Sequence, residues 1–306
     1  MKTCVVAGGA GFIGSWLCSD LLSKGFRVVC VDNLITGNEQ NLLAAENFTF
    51  VRQDVSDKFD ISGDVDFVFH MASPASPIHY QKHPIETLKA NSLGTMNLLD
   101  MCKRKNARFL YASSSEVYGE PREHPQRETY WGNVNSFGPR SCYDEGKRFS
   151  EALIRSYDGV DFRIARIFNT YGPRMNRDDG RVVPNFIHQA LTGKPITIYG
   201  DGGQTRSFCY VSDNIEGLEM LMFSNGAKNE LMNIGNPAEI TILELAETIK
   251  KLTGSESKIV FRGLPTDDPT RRRPDIEKAE KILGWKPKIG IEDGLRRTIE
   301  YFSATG

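Results

Sequence analysis

Tyr143 and Lys147 stand four residues apart in Tyr143-Asp144-Glu145-Gly146-Lys147. On a helix that spacing puts both side chains on one face. Upstream, an apolar run ending at Ala112 gives way to the polar stretch Ser113-Ser114-Ser115-Glu116-Val117-Tyr118-Gly119. A tyrosine ionises near ~10 in water. A Lys147 ammonium together with a nicotinamide cation favours the phenolate and lowers that value. Tyr143 is then a base that takes the proton of a hydroxyl whose hydride leaves to a dinucleotide. Lys147 also suits a hydrogen bond to the nicotinamide ribose, and Ser114 suits one to the oxygen being oxidised. By itself a Tyr/Lys pair at this spacing arises often by chance, and a serine-rich stretch is often only a polar turn. Meaning comes from the elements that must position them.

The chain opens with Val5-Val6-Ala7-Gly8-Gly9-Ala10-Gly11-Phe12-Ile13-Gly14, and Asp32 ends a second apolar run. Val5 to Ala7 read as a buried strand. Gly8, Gly11 and Gly14 have the spacing of a tight turn into a helix. Without Cβ atoms the backbone approaches a pyrophosphate, and the helix N-terminus, with Phe12 and Ile13 in its first turn, offers free N–H groups. Asp32 accepts from both ribose hydroxyls and repels a 2′-phosphate, so the cofactor expected is NAD rather than NADP. Position adds Asn33 and the Thr36-Gly37 turn at the adenosine ribose. Ala72 follows the fourth strand beside the cofactor. Asn91, on the next helix, is a further cofactor neighbour, with packing as its alternative.

Strands are predicted at Thr3–Ala7, Arg27–Val31, Phe48–Val51, Phe67–Phe69, Arg108–Ala112 and Phe162–Arg166. Helical patterns at Phe12–Lys24, Ile85–Arg104 and Tyr143–Tyr157 lie between several of them. The alternation implies an α/β fold, a doubly wound parallel Rossmann sheet with ligands at the carboxyl ends of its strands. Beyond about residue 170 the segments shorten and become richer in Pro, Gly and Arg, as in Asp267-Asp268-Pro269-Thr270-Arg271-Arg272-Arg273-Pro274. Helices return at Asp213–Phe223, Ile242–Leu252, Ile276–Leu283 and Ile291–Phe302. Two lobes are expected: residues 1–170 plus 207–230 for the dinucleotide, and a smaller α/β substrate lobe from 171–206 plus 231–306.

With 38 basic against 39 acidic residues in 306, the net charge of −1 excludes a general attraction to nucleic acid or to a membrane surface. No apolar run is long enough to span a bilayer. The first residues enter a core strand, leaving no room for a signal peptide. Six scattered cysteines with no CxxC pair read as free thiols in a reducing cytoplasm, and neither they nor the five histidines have metal-ligand spacing, so no metal is expected. Trp16, Trp131 and Trp285 read as core or interface residues, and Arg174 and Arg271 as solvated surface.

These motifs resemble the extended short-chain dehydrogenase/reductases, in the branch that acts on nucleotide sugars. Within it, the chain is most similar to the UDP-glucuronate decarboxylase (UDP-xylose synthase) family. The narrowest signals are Met71-Ala72-Ser73-Pro74-Ala75-Ser76-Pro77, Gly138-Pro139-Arg140-Ser141-Cys142-Tyr143-Asp144-Glu145-Gly146-Lys147-Arg148, Asp179-Gly180-Arg181-Val182-Val183 and Arg272-Arg273-Pro274-Asp275-Ile276. Ser115-Glu116 stands where 4,6-dehydratases acting on dTDP-glucose carry Asp-Glu, so their proton donor is missing. Ser114 stands where decarboxylases commonly have Thr; the hydroxyl is kept.

The resemblance implies oxidation of C4 of UDP-glucuronate to a β-keto acid by Tyr143, Ser114 and Lys147 with NAD. Loss of carbon dioxide, reprotonation of C5 by a water held by Glu116, and return of the hydride then give UDP-xylose. It implies Arg272 near the sugar carboxylate, with a phosphate clamp or a surface charge as the alternative. It further implies Asp54 and Val55 at the adenine, and Asn169 at the diphosphate, with Arg181, Tyr199 and Arg206 completing a UDP cradle. A homodimer through helices Ile85–Arg104 and Tyr143–Tyr157 is also implied, although both helices equally suit covering the sheet of a monomer. A nucleotide-sugar epimerase or dehydratase, and a non-catalytic NAD-binding regulator, are the other readings.

Overall fold

A computed structural model describes residues 1–264 and 271–305 of the chain. Residues Asp267 to Thr270 of the arginine-rich segment lie outside the described residues; Arg271, Arg272, Arg273 and Pro274 lie within them.

Seven parallel strands form the central sheet, in the order Glu230–Ile234, Phe162–Ile167, Arg108–Ser114, Phe67–His70, Thr3–Ala7, Arg27–Asp32, Phe48–Arg52. The chain starts at Thr3–Ala7, steps outward to Phe48–Arg52, then crosses back over its first strand to Phe67–His70. That reversal leaves a crevice above the carboxyl ends of the first and fourth strands, where a doubly wound sheet binds its ligand. Cys4 to Ala7 and Val28 to Val31 are buried with little or no exposure. Such near-continuous apolar runs belong to parallel strands covered by helices on both faces.

All six expected strands form, each within one or two residues of its expected bounds. The seventh, Glu230–Ile234, pairs with Phe162–Ile167 in the central sheet. The lobe boundary expected at residue 230 therefore falls at the start of a sheet strand, and the sheet extends to Ile234. Two flanking residues, Glu230 and Leu231, are only half-buried, which weakened the apolar signal of this edge strand.

The helix expected over Ile85–Arg104 is broken into Pro84–Lys89, a π-turn Ala90–Gly94, and Thr95–Lys105. A π-turn leaves a backbone group outside the regular ladder. Here the carbonyl of Asn91 accepts from the hydroxyls of Thr95 and Ser150, the latter on helix Ser141–Ser156. The break is thus stitched to the helix that carries Tyr143 and Lys147.

The remaining chain packs at one end of the sheet. Two-stranded and three-stranded pairings join Ile196–Tyr199 to Ile259–Arg262, and Thr205–Ser207 to both Glu239–Thr241 and Arg271–Arg272. Helix Val211–Phe223 returns to the sheet and packs beside Phe12–Ser23. Trp285 is in the core, donating to the carbonyl of Asp213, whereas Trp131 is 88% exposed. Arg174 is not a solvated surface residue. Its Nη1 donates to Ser15 O and Ser19 Oγ at 2.9 Å, and its guanidinium lies over the Trp16 ring.

Candidate active site

A cleft of about 1270 Å³ runs along the carboxyl ends of the strands. At one end is the glycine turn. Gly8 has φ +80°, and a Cβ there would sit 2.6 Å from Ala72 N, so the chain is glycine for both conformational and steric reasons. A Cβ on Gly14 would sit 2.1 Å from Gly8 O. The helix Phe12–Ser23 begins at this point, and its first-turn N–H groups lack partners within the helix. Gly8, Gly11, Phe12, Ile13, Gly14, Thr36 and Gly37 all line the cleft.

Asp32 is buried and accepts from Ala10 N at 3.0 Å and Leu34 N at 2.8 Å. Burial raises its carboxyl above the ordinary range, and the two N–H donors work against that rise. Asp32 shares a side pocket with Asn33, Asp54, Val55 and Ala72. Asn33 Nδ2 donates to Asp54 Oδ2 at 2.8 Å, so the two form one wall. This arrangement fits the adenosine half of NAD: a backbone turn for phosphate, then a carboxylate on the next strand.

Asn91 is fully buried, its Nδ2 donates to Ser73 Oγ and Thr87 O, and its Oδ1 accepts from Tyr111. It lines neither the cleft nor the side pocket. Its amide instead supports Ser73, which does line the cleft.

At the cleft's centre, Ser114 caps the turn Ser115–Tyr118 by accepting from Glu116 N. Its hydroxyl faces the phenol of Tyr143 and favours the ionised form. Lys147 lies 5.5 Å from the Tyr143 ring centroid, and its Nζ donates to Ala112 O at 2.8 Å. Burial pushes Tyr143 up to about 12, against the Ser114 hydroxyl and with the charges of Glu116 and Asp144 adding to the rise. Burial also pushes Lys147 down to about 7. The lowering expected of Tyr143 belongs to Lys147 and a nicotinamide cation acting together; in the chain alone, burial is the larger influence on both groups.

Next to this trio sits a charged cluster that only folding assembles. Glu116 Oε2 accepts from Arg140 Nη2, and from Arg272 Nη2 at 3.3 Å. Arg272 is 1% exposed, and its Nη1 donates to Ser115 O at 2.7 Å. Burial works to raise the Glu116 carboxyl, but the guanidiniums of Arg272, Arg140 and Arg206 outweigh it and hold it at about 2. Asp144, beside Arg140, is raised to about 7 by burial and by the Glu116 charge. Arg140 and Tyr80 had no assigned role in the sequence, yet both line the cleft. Tyr80 is stacked on Tyr143 at 5.1 Å and 13°. Arg140 sits three residues before Tyr143 in one of the narrow motifs; nothing in the sequence singled out Tyr80.

Asn169, Arg181, Tyr199 and Arg206 line the same cleft. Arg181 pairs with Asp179 and lies over the Phe12 ring. Tyr199 is largely exposed at the rim.

A dinucleotide turn, a Ser/Tyr/Lys centre and several arginines along one cleft define an NAD-dependent enzyme that acts on nucleotide sugars. The chain belongs to the extended short-chain dehydrogenase/reductases, in the family described as GDP-mannose 4,6 dehydratase, whose profile matches residues 5–298. It is 52% identical over 308 residues to UDP-glucuronic acid decarboxylase 1 of Danio rerio, covering 99% of this chain and 73% of that one. It is 51% identical to UDP-glucuronic acid decarboxylase 1 of Arabidopsis thaliana, covering 97% and 69%. Among solved structures, UDP-glucose 4-epimerase of Thermotoga maritima superposes with TM-score 0.90 at 30% identity over 99% of each chain. UDP-glucuronic acid 4-epimerase of Bacillus cereus, in complex with UDP-glucuronic acid and NAD, superposes with TM-score 0.88 at 29% identity over the full length of both.

Proposed function

We propose that the chain decarboxylates UDP-glucuronate to UDP-xylose through a UDP-4-keto sugar. The observation that carries this reading is the ionised Glu116 held by Arg140 and Arg272 beside Ser114 and Tyr143. When bound, NAD supplies the hydride acceptor and a positive charge, and returns the hydride, so that it is unchanged over a turnover.

Tyr143 takes the proton of the C4 hydroxyl, and Ser114 holds the same oxygen. Lys147 stabilises the phenolate. The ketone formed at C4 lies β to the C6 carboxylate. The C5–C6 bond breaks with its electrons flowing to the C4 oxygen, and carbon dioxide leaves. Ser114 and Tyr143 donate to the resulting oxyanion. A carboxylate held near 2 is no proton donor at neutral pH, so Glu116 acts by accepting a hydrogen bond from the water that reprotonates C5. Arg272 orients the sugar carboxylate. Two of its donors are already engaged by Ser115 and Glu116, which limits its grip on a group that must leave. Tyr143 finally returns its proton to the C4 oxygen.

Asn169, Arg181, Tyr199 and Arg206 hold the UDP moiety: guanidiniums for phosphate, an aromatic edge for uracil. In this reading, the sheet lobe with its seventh strand holds the dinucleotide, and residues 171–206 with the segments after Ile234 hold the sugar nucleotide. Two copies pair through the helical segments Pro84–Lys89 and Thr95–Lys105, with the π-turn between them, and helix Ser141–Ser156, a reading supported by the exposed apolar side chains of Ile85, Leu88, Leu93, Met96 and Phe149. Among the described residues no helix is long and apolar enough to cross a membrane. Six free cysteines favour a cytoplasmic setting.

The test is incubation with UDP-glucuronate and NAD, followed by product mass and stereochemistry. Loss of one carbon dioxide with no net reduction of NAD is expected. An unchanged mass with inverted C4 would replace this reading by a 4-epimerase, the reaction named for the Bacillus cereus neighbour.

A further inference from the structure

Arg272 and Glu116 lie 156 positions apart in the chain, yet their side chains meet. Arg272 belongs to a two-residue strand, Arg271–Arg272, and Glu116 to a four-residue turn, Ser115–Tyr118. Neither element is long enough to hold a guanidinium and a carboxylate in register unaided. Both are tied to one buried side chain outside the cleft.

Asn233 sits on the sheet strand Glu230–Ile234, opposite Arg166, and is 0% exposed. Its Oδ1 accepts from the hydroxyl of Tyr118 at 2.8 Å, and Tyr118 ends the turn that carries Glu116. Its Nδ2 donates to two carbonyls, Gln126 O at 3.0 Å and Asp275 O at 2.9 Å. Gln126 and Asp275 bracket the Arg272 segment. Gln126 N donates to Arg273 O, Asp275 N donates to Gln126 O, and Arg273 N donates to Gln126 Oε1, each at 2.9 Å. The backbone N–H of Asn233 is also engaged, by Glu128 Oε1 at 2.8 Å. A Cβ on Gly235 would sit 2.7 Å from Phe168 Cβ and 3.1 Å from Pro274 Cγ, so Pro274 is pressed against this strand end.

A primary amide has two donors and one acceptor oxygen, and here each faces its complement. Turning the amide over would set an oxygen against two carbonyls. We propose that Asn233 is a positioning residue: its side-chain amide ties the Glu116 turn to the Arg272 strand and so sets the spacing of the carboxylate and guanidinium that act after the first oxidation. The role rests on the decarboxylase reading for its kinetic consequence, but not for its geometric one. Tyr143, Ser114 and Lys147 are carried by other elements, strand Arg108–Ser114 and helix Ser141–Ser156. Loosening Asn233 therefore leaves C4 oxidation intact and slows carbon dioxide loss and C5 protonation.

The test uses the full chain with NAD bound and three variants: Asn233→Asp, Tyr118→Phe, and Thr298→Val as a buried polar control in helix Ile291–Ala304. Steady-state rates, the absorbance of reduced nicotinamide after mixing with UDP-glucuronate, and thermal midpoints are read for each. Asn233→Asp is expected to lower kcat by about tenfold to a hundredfold, with KM changed less than about threefold. Reduced nicotinamide should accumulate during turnover. Tyr118→Phe, which loses one hydroxyl and keeps the ring, should give the same signature at a few-fold smaller size. If Asn233→Asp does not fold, Tyr118→Phe decides alone. Loss of activity without that accumulation, or only in step with thermal destabilisation as in Thr298→Val, would overturn the proposal. The parent chain in parallel separates the two readings: if it releases no carbon dioxide, the activity is refuted, and a crystal structure of Asn233→Asp still decides this point. Arg272 Nη2 should move away from its 3.3 Å contact with Glu116 Oε2, and an unmoved pair would sink the inference.

Discussion

The two ends of the cleft are built in opposite ways. The dinucleotide end is local in the chain: Gly8 to Gly14 and Asp32 span one strand–turn–helix–strand unit, and backbone contacts shape it, such as Gly8 N to Val31 O and Gly11 N to Gly8 O. The sugar end is charged and assembled from afar, with Glu116 meeting Arg140 from 24 positions away and Arg272 from 156. A phosphate asks only for N–H groups that a tight turn exposes. A carboxylate about to leave as carbon dioxide asks for opposite charges at a set spacing, and no short stretch of chain can hold three such side chains against solvent. The first end is therefore vulnerable to added bulk and the second to lost charge.

The largest break is expected between the two ends, at the phenol. Tyr143→Phe should bind NAD as the parent does, read by titration, while turnover falls by about 10²–10⁴-fold. Full activity would remove Tyr143 from the chemistry. Next comes the charged end. Glu116→Gln removes the carboxylate shared by Arg272 and Arg140 and should cost about 3 kcal/mol of stability at neutral pH by urea unfolding. The sign follows from a carboxyl depressed from 4.5 to about 2: its stabilising contribution is complete above the unfolded value and is lost as pH falls towards 2. The gap between parent and variant should close over that window, and a gap independent of pH would show that the ion pairs are not its source. Gly8→Ala attacks the other end. A Cβ at φ +80° and 2.6 Å from Ala72 N should cost about 2 kcal/mol and weaken NAD binding, with no pH dependence in this range. The smallest effect is expected for Asp32→Asn, which should narrow the preference for NAD over NADP by about tenfold in competition binding. An unchanged preference would leave Asp32 only its loop contacts with Ala10 and Leu34.

Much of the dinucleotide end was legible beforehand because periodicity and glycine spacing are local signals. Strand Thr3–Ala7 matches its expected bounds, and Asp32 lies at the end of the second strand as its position required. The Tyr143/Lys147 pair was legible for the same reason, since a four-residue spacing on a helix is local geometry. The state of those groups was not. A phenol at about 12 and a lysine at about 7 arise from burial by segments far away in the chain. The π-turn at Ala90–Gly94 was not legible, because the apolar spacing of a helix does not reveal a local change of its hydrogen-bond ladder. Arg174 misled because a polar residue in a Pro/Gly-rich loop looks solvated, whereas it spans back to Ser15 and Ser19. Strand Glu230–Ile234 was missed because half-buried edge residues dilute the apolar run.

What the amino-acid order determined by itself is the α/β alternation, the glycine turn with its acid, and the Tyr143/Lys147 pairing on one helix face, because each rests on contacts within a few tens of residues. Which arginines face Glu116, and how a single amide at Asn233 joins two distant segments, was decided only in three dimensions. Charge pairing and buried hydrogen bonding depend on distance through space, and neighbours in space are not written as neighbours along the chain.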